Sequence, residues 1–448
     1  MKKFIYSMFS NSIIIITSYL LLFVILFTSC NNSTDPSDMA IDAFNNGTEE
    51  RNMIVVISDL HLGADLAYSE TKNNLKPLEN FLYRIRLSRN VKELVIAGDM
   101  LDEWFIPASV DAFQGKGQID FIRRIAIANK GVVNALNRII KEGEILVTYV
   151  PGNHDLTVTA ANVAAIFPGI NQARDEMQGL GIYSPEDFPK IAIEHGHRYN
   201  FFCAPDPISN RDIAPGTITP PGYFFTRIAA THVDQNCETS GDVIQVVTPN
   251  TAGIASQNLL FGYWKMWEWA LNWLPIQNKF NEKIIVTNVD GFTGSFSVND
   301  ILPYQITPGG VIDVKLYKGI QDTWSQRQIL NKVAVNIPTA QAIARSAVTE
   351  ESDDQARIQY FLNPNSDKRI VVFGHTHYAK IIASQNHKNE KSIYANSGTW
   401  IDHSPAPEIM TFVVIIPQNN EPSSQTFVKL YNFENEIITK MSEDSLRY

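Results

Sequence analysis

The chain contains 448 residues, of which 44% are hydrophobic and 19% are charged, a balance typical of one large globular domain with an insertion or of two to three domains. The net charge is −10 at pH 7 and no extended basic run occurs, so we expect no nucleic acid partner bound through phosphate neutralisation. The same charge argues against electrostatic attraction to anionic lipid.

The first segment of the chain is a predicted export signal. Two lysines at the start precede an apolar run from Ile13 to Phe27, which is the arrangement of a secretory signal. The Thr-Ser pair ahead of Cys30 resembles a bacterial lipobox, in which the cysteine is lipidated; the alternative is an uncleaved membrane anchor, for which the run is short. We predict a lipoprotein signal peptide over 1–30, a flexible tether over 31–50, and export to the periplasmic or cell-surface side of a membrane.

Two cysteines, Cys203 and Cys237, remain beyond the signal. Outside the cytoplasm a pair is more often bonded than free, and closing a loop of this size contributes about 3 kcal/mol. We therefore expect a disulfide, with two buried thiols as the alternative.

The predicted elements alternate between strand and helix. Helical periodicity over 74–87 and 118–141 separates apolar, β-branched runs, and this alternation predicts an α/β fold. The predicted strands are MIVVIS (53–58), ELVIAG (93–98), ILVTYVPG (145–152), KIAIEH (190–195), RIVVFG (369–374), KIIAS (380–384), SIYANSG (392–398) and TFVVIIP (411–417).

The strand pattern is lost between the fourth and fifth strands. This stretch is rich in proline, glycine and aromatic residues and then becomes helical. We predict a catalytic domain in two parts, 51–202 and 369–448, interrupted by an insertion or cap over 203–368.

The insertion contains a tryptophan-rich helical run from Leu259 to Pro275. Its apolar residues cover nearly the whole helix, which favours a buried position in the core of the cap. The alternative is a helix that faces lipid or substrate, since tryptophan suits the membrane interface. Because both ends of the insertion leave from strands with site residues, we expect it to overhang the site and select the substrate.

Short polar motifs follow five of the predicted strands. A single Asp-x-His pair is usually a satisfied surface pair, but polar side chains at the carboxyl ends of adjacent strands are where α/β folds build sites. The motifs are SDLHLG (Asp59, His61), AGDMLDEW (Asp99, Asp102), PGNHDL (Asn153, His154, Asp155), EHGH (His195, His197) and FGHTHY (His375, His377).

This ordered set, followed by NSGTW at 396–400, resembles the calcineurin-like metallophosphoesterases. The resemblance covers about 53–200 and 369–415 and implies two packed sheets flanked by helices. It also implies two metal ions bridged by Asp99, and hydrolysis by a hydroxide held between them. The first ion would be bound by Asp59, His61, Asp99 and His377, and the second by Asp99, Asn153, His195 and His375.

The residue types independently suit such a centre. Carboxylates with several imidazoles and no thiolate favour Fe, Zn or Mn, and a shared carboxylate suits two ions about 3.5–4 Å apart. The resemblance places His154 outside the ligand set, as the acid that protonates the leaving group, with Asp102 orienting it. His197 and Arg198 are left over as candidate substrate-binding residues. Asp402 would approach the site only if the loop after NSGTW folds back.

The predicted function is therefore a metal-dependent hydrolase of phosphomonoesters or phosphodiesters, with a phosphorylated small molecule or lipid as substrate and a membrane contact through the lipid anchor. One alternative is a pyrophosphate hydrolase acting on a nucleotide–lipid or nucleotide–sugar, although related enzymes act on the cytoplasmic side. The other alternative is a lipoprotein that only binds its ligand. Metal content, measured together with hydrolysis of aryl phosphate mono- and diesters, distinguishes these functions.

Overall fold

The apolar runs of the sequence form strands in two sheets. The computed structural model describes residues 42–348, 350–404, 406–419, 421 and 423–448. The predicted signal peptide, the first part of the tether and the lipidation at Cys30 lie outside these residues. The strands are β1 (Met53–Ile57), β2 (Val91–Ala97), β3 (Leu146–Val150), β4 (Asn171–Gln172), β5 (Ile191–Ile193), β6 (Ile285–Val286), β7 (Ser295–Phe296), β8 (Tyr304–Gln305), β9 (Ile312–Asp313), β10 (Ile370–Phe373), β11 (Lys380–Gln385), β12 (Lys391–Asn396), β13 (Thr411–Ile416), β14 (Thr426–Glu434) and β15 (Ile437–Leu446).

The larger sheet has seven strands in the order β15-β14-β13-β1-β2-β3-β4, and the second has four in the order β11-β12-β10-β5. Strands β1, β2, β3 and β4 run parallel, as do β5, β10 and β12. Antiparallel strands complete each sheet, and two short pairs, β6-β7 and β8-β9, lie in the predicted insertion. The carboxyl ends of the parallel strands within each sheet therefore meet at one edge, where ligands bind in α/β folds.

Helices cover the outer faces because their apolar residues recur on one side. In the first helix the buried residues Leu78, Phe81, Leu82 and Ile85 follow the spacing of a single helical face. The helices are α1 (Leu75–Leu87), α2 (Gln118–Ala128), α3 (Lys130–Glu142), α4 (Ala160–Ile166), α5 (Pro221–Gln235), α6 (Ala255–Trp273), α7 (Val298–Ile301), α8 (Ile320–Leu330), α9 (Thr339–Arg345) and α10 (Glu350–Ala356), with a 3₁₀ turn at His197–Tyr199 and a π-helical turn at Arg357–Phe361.

Strand β1 shows how the layers are built. Its side chains alternate, so Ile54 and Val56 belong to the apolar cluster between the two sheets. Met53, Val55 and Ile57 belong instead to the larger cluster on the helix side. All five are fully buried, and each such side chain contributes about 1.5–3 kcal/mol of transfer free energy. The mixed α/β architecture of two sheets with flanking helices confirms the predicted fold class.

The predicted insertion shares the core of the rest of the chain. Residues 42–448 form one compact unit, and the helix-side apolar cluster includes Trp267 of α6 as well as strand β1. Inside this region Arg327 donates to the carbonyls of Phe201 and Ala204, and Tyr360 donates to the Glu194 carboxylate. The boundaries at 203 and 368 therefore stay predictions, because these contacts join the segments on either side.

Helix α6 buries only one face, although its nearly continuous apolar surface favoured burial all round. Leu260, Trp264, Trp267 and Leu271 are buried, whereas Trp269 and Trp273 on the outer face are 44% and 51% exposed. Among the helices of the described residues, none is both long and apolar enough to cross a bilayer.

The expected disulfide is wrong. Cys203 and Cys237 are both free thiols. Cys237 donates to the Pro275 carbonyl at 2.9 Å, after the end of α6, whereas Cys203 lies beside Gly222 near the start of α5. A half-buried thiol with a carbonyl partner needs no covalent bond, and sequence spacing does not report the distance between two cysteines.

Candidate metal centre

The five motifs meet where their strands end. Strands β1, β2 and β3 lead into Asp59, Asp99 and Asn153, and β5 and β10 of the second sheet lead into the histidine motifs. Within the described residues, three groups of side chains have the spacing needed to hold an ion, and two of them contain only residues predicted as ligands. These two groups are Asp59 with His61 and His377, and Asp59 with Asp99 and His195.

Asp99 lies between the two predicted ligand sets. Its Oδ2 is 3.1 Å from His195 Nε2 and 3.7 Å from His61 Nε2, so one carboxylate oxygen faces an imidazole of each set. Its Oδ1 accepts a hydrogen bond from the His154 backbone amide at 2.8 Å, which fixes the orientation of the carboxylate. This position is the one that a bridging ligand requires.

The tautomer of His195 is set by the strand beside it. His195 Nδ1 lies 2.8 Å from the carbonyl oxygen of Ala97, and a carbonyl only accepts, so Nδ1 carries the hydrogen. The lone pair of neutral His195 is then on Nε2, which lies 3.1 Å from Asn153 Oδ1 and 3.1 Å from Asp99 Oδ2. This is the usual arrangement of an imidazole that ligates a metal.

On the other side of Asp99, Asp59 lies near two imidazoles. Its Oδ1 is 3.2 Å from His377 Nε2 and 3.9 Å from His61 Nε2. The backbone amide of His375 also donates to the Asp59 carboxylate, at 3.1 Å to Oδ2. The ring of His375 lies with its centroid 5.2 Å from that of His195, on the side assigned to the second ion. All seven predicted ligands thus lie around one centre.

The backbone at this centre is strained. Five of the predicted ligands have positive φ although none is glycine, namely Asp59 at 54°, His61 at 43°, Asp99 at 50°, His375 at 72° and His377 at 65°. Such conformations cost about 1–3 kcal/mol each and persist where the surrounding structure enforces them, typically at functional sites.

Two glycines of the motifs allow the strand ends to approach one another. A Cβ on Gly98, whose φ is +90°, would lie 2.4 Å from His195 Nδ1, and a Cβ on Gly152 would lie 2.1 Å from Asp99 Oδ1. Both contacts are far inside van der Waals range, so a side chain at either position would displace a predicted ligand. The glycines of GD and GN are therefore required for the close contacts of the site.

Burial and charge act against each other on the acids. Burial would raise the pKa of Asp59, but the positive charges of His195 and His377 outweigh it and hold that pKa well below its ordinary value. Burial would lower the pKa of His195, yet Asp99 and Asp59 raise it to about 9. The two buried aspartates therefore stay ionised, and a cation among them could replace the protons of the histidines.

An unpartnered nitrogen of His61 also indicates that these residues suit a metal ion. His61 Nε2 is fully buried without a hydrogen-bond partner, although a buried polar atom without a partner costs about 1–3 kcal/mol. This nitrogen faces the carboxylates of Asp59 and Asp99. An ion held by these groups would satisfy it, and the oxygen and imidazole donors, without thiolate, suit Fe, Zn or Mn.

His154 lies beside this centre with its own carboxylate. Its Nδ1 is 2.9 Å from Asp102 Oδ1, and its ring packs between His61 and Trp104, with centroids 4.4 and 5.1 Å away. Burial lowers the pKa of His154, but the charge of Asp102 outweighs that and raises it above 6.5. The pair can hold a proton on an imidazole next to the metals, as a general acid requires.

Asp155, the last residue of PGNHDL, joins two of the motifs. Its Oδ1 accepts from the Gly152 amide at 2.6 Å and its Oδ2 from the amides of Met100 and Leu101 at 2.9 and 3.2 Å. These bonds fix the loops after β2 and β3 relative to each other. The role is therefore structural support of the ligand loops.

The structure places His197 and Arg198 behind the site, at full burial. His197 Nε2 donates to the Gly179 carbonyl at 2.9 Å, and burial together with the charge of His195 holds its pKa well below 6.5. Arg198 binds the carboxylates of Glu194 and Asp175 at 2.7 and 2.8 Å. Because these partners belong to the protein, the geometry favours a structural role for Arg198, and substrate contact by either residue stays a prediction.

Glu70 lies at the site although it belongs to none of the sequence motifs. Glu70 lies in the loop between β1 and α1, and its Oε2 is 3.0 Å from His61 Nδ1. Together with His61, Asp102 and His154 it forms the third group with metal-binding spacing. A lone glutamate in a polar loop carries no signal in the sequence that could have identified it.

Comparison with known proteins agrees with this geometry. Residues 53–225 match the model of the calcineurin-like phosphoesterase family. The match contains the motifs from Asp59 to His195 and runs past the predicted start of the insertion, to within α5. No curated protein matches the chain.

Proposed function

We propose that this chain cleaves an exported phosphoester at a centre of two metal ions. It carries a calcineurin-like phosphoesterase domain over residues 53–225 and is a metal-dependent phosphoric ester hydrolase. The seven ligands of that centre would be Asp59, His61, Asp99, Asn153, His195, His375 and His377. The observation that carries the proposal is the position of Asp99 Oδ2, within 3.1 and 3.7 Å of imidazoles from both ligand sets.

Two ions bound here would supply Lewis acidity, neutralising charge that builds on the phosphoryl oxygens, and an activated water at neutral pH. The residues of the chain do the remaining work. Asp59 and Asp99 would hold the cations, and the hydrogen bond of His195 to the Ala97 carbonyl keeps its Nε2 directed at Asp99 and Asn153. The strained backbone of the ligand loops fixes these groups before substrate arrives.

His154 would deliver the proton to the leaving-group oxygen. Its Nδ1 is engaged by Asp102, so Nε2 is the atom left to face the ester. Asp102 stabilises the protonated ring and is itself held by the backbone amides of Trp104 and Phe105, both at 2.8 Å from Oδ1. General acids of this kind contribute about 10²–10⁴-fold to the rate.

The predicted cap would select the substrate through a wall of the site beside His154, formed by Trp104 and Tyr223 of α5. Trp104 packs on His154 and meets the ring of Tyr223 of α5 edge to face at 6.1 Å. Arg227 of the same helix is fully buried and donates to the carbonyls of Ile106 and Val110, among others, so α5 holds the loop that follows Asp102. A phosphorylated small molecule or lipid would reach the metals along this wall.

A deletion of residues 203–366 would not isolate this role, since it removes Arg227, Arg327 and Tyr360 from shared contacts. Cys203→Phe is a smaller change, because the thiol lies beside Gly222, which also touches the Trp104 ring. We expect kcat/KM to fall more for a bulky aryl phosphate than for phenyl phosphate. An equal loss for both substrates, with unchanged thermal unfolding, would contradict a selective cap.

The location follows from the sequence alone and remains part of the proposal. An exported, lipid-anchored enzyme would meet phospholipids, nucleotides or phosphosugars outside the cytoplasm. Membrane fractionation of the full chain, with and without Cys30→Ala, tests it. Release of the variant from the membrane fraction supports the lipid anchor, and retention of the variant argues against it.

The reaction is tested with metal-loaded protein and aryl phosphate esters. Hydrolysis of a monoester or a diester by wild type, abolished by Asp99→Asn, is the expected result. Hydrolysis confined to nucleotide pyrophosphates would favour the pyrophosphatase alternative. Binding of two ions with no turnover of any of these substrates would contradict the proposed hydrolysis and favour a ligand-binding protein.

A further inference from the structure

Two carboxylates lie beside His61 Nδ1, the ring nitrogen that faces away from the proposed metal centre. Its Nδ1 lies 3.0 Å from Glu70 Oε2 and 3.1 Å from Asp102 Oδ2, while its Nε2 faces Asp59 and Asp99. A neutral imidazole that ligates through Nε2 carries its hydrogen on Nδ1. Asp102 Oδ2 accepts that hydrogen, and the Glu70 carboxylate lies beside the same nitrogen as an ion-pair partner. The ring is therefore oriented from behind by two acids.

The two acids are not equivalent. Asp102 also binds His154 Nδ1 at 2.9 Å and accepts from the amides of Trp104 and Phe105. Its position is set by these partners and by the needs of His154. Within the part of the chain that the structure describes, the Glu70 carboxylate forms its one ion pair with His61, and its side chain is 18% exposed. Glu70 is thus the carboxylate whose contact serves His61 alone.

The backbone at Glu70 and in the residues after it is anchored from a distant part of the chain. The amide of Asp402 donates to the Glu70 carbonyl at 2.8 Å. The Asp402 carboxylate in turn accepts from three successive amides, those of Lys72, Asn73 and Asn74, at 2.8 to 3.2 Å. The loop that bears Glu70 is therefore held at the site by the segment that follows NSGTW.

We infer that Glu70 is a positioning residue for His61, which it holds in the tautomer and orientation that ligate through Nε2, and that Asp402 fixes the Glu70 loop for this purpose. The inference rests on the proposed metal centre but assigns a residue outside the seven ligands. Carboxylates behind a ligating imidazole raise its basicity, and their loss typically lowers metal affinity or activity about 10–100-fold.

The roles of Glu70 and Asp102 are expected to separate experimentally. Glu70→Gln removes the charge behind a metal ligand, so it weakens metal binding, and saturating metal restores turnover. Asp102→Asn removes the partner of the proton donor, so its kcat stays low at saturating metal, most for esters with poor leaving groups. A single structural defect would not produce this division between the two variants.

The test is zinc affinity of the purified full chain, measured by competition with a chromophoric chelator and by ion content after dialysis. We expect Glu70→Gln to bind the more weakly held of the two zinc ions about tenfold less tightly than wild type does. Glu70→Asp should recover part of this loss of affinity. Asp402→Asn should shift affinity in the same direction by a smaller factor. Glu79→Gln is the matched control and should bind as wild type, since Glu79 is a partly exposed glutamate paired with Lys76 on α1.

Circular dichroism and thermal unfolding of the zinc-free proteins separate folding from positioning. Weaker zinc binding by a Glu70→Gln protein whose zinc-free form unfolds like wild type supports the inference. Wild-type zinc affinity in Glu70→Gln overturns it, whatever the activity. A wild-type chain that binds two ions yet hydrolyses no ester would overturn the proposed function instead, and the comparison of affinities would still decide the role of Glu70.

Discussion

Glu103 offers a stability test of the structure behind His154, the proposed general acid. Its carboxyl is buried, at 1% exposure, and has two uncharged partners: Thr157 Oγ1 donates to it at 2.6 Å and Gln118 Nε2 at 2.9 Å. Because burial outweighs these hydrogen bonds, the pKa of Glu103 rises from 4.5 to about 7. The folded protein therefore binds this proton more tightly than the unfolded chain does.

The sign of the pH dependence follows from that difference. The protonated carboxyl stabilises the fold fully below about pH 4.5, and the stabilisation is lost as the pH rises through about 7. A change of pKa from 4.5 to about 7 is a factor of about 300 in proton affinity, or about 3 kcal/mol. Most of it, roughly 2.5 kcal/mol, falls between pH 5 and pH 8.

The perturbation is Glu103→Gln, which keeps the shape and removes the titration. Urea unfolding of metal-free protein at pH 5, 6, 7 and 8 gives the free energy of unfolding for each variant. We expect the stability of Glu103→Gln, relative to wild type, to increase by roughly 2.5 kcal/mol from pH 5 to pH 8. Glu79→Gln, at a partly exposed position on α1, is the control and should follow wild type throughout. Parallel curves for wild type and Glu103→Gln would refute a raised pKa at this buried carboxyl.

Three further predictions concern the acid, the tryptophan helix and the thiols. His154→Ala should retain metal content near wild type and lower turnover at least about tenfold, and equal turnover by the variant would remove His154 from the mechanism. Trp267→Ala should lose about 3–5 kcal/mol of unfolding free energy because its indole is buried. Trp269→Ala, at an exposed position, should change the unfolding free energy by less than about 0.5 kcal/mol. Similar losses for both variants would contradict the orientation of α6. Thiol labelling of denatured, unreduced protein should modify both Cys203 and Cys237, and a pair that resists labelling until reduced would contradict the free thiols.

The strands and the helix faces follow closely from periodicity. The run predicted as a strand at 53–58 forms β1 over Met53–Ile57, because its β-branched residues are buried on both faces of a parallel strand. The apolar spacing in α6 predicted burial nearly all round, whereas the structure buries Trp264 and Trp267 and exposes Trp269 and Trp273. The C-terminal hairpin of β14 and β15 was not predicted, because β15 is largely polar and pairs only with β14, at the edge of its sheet.

The seven predicted ligands lie close together because each follows a buried strand in a short motif. Glu70 was not predicted, because its approach to His61 depends on the contacts of Asp402 with the loop, across more than 300 residues of sequence. Arg198 shows the opposite case. Its place beside His195 made it a candidate for substrate binding, yet the basic side chain binds the buried carboxylate of Glu194 and the partly buried carboxylate of Asp175. A residue's place in a motif therefore predicted its place at the site only where the preceding strand also directed its side chain there.

The most direct measurement of the central claim is an anomalous diffraction experiment on crystals of metal-loaded protein. The proposed centre predicts two ions about 3.5–4 Å apart, with one carboxylate, that of Asp99, bound to both. Asp99→Asn crystals grown in the same way should lose at least one ion. A single ion, or two ions without Asp99 between them, would contradict the dinuclear centre proposed for this chain.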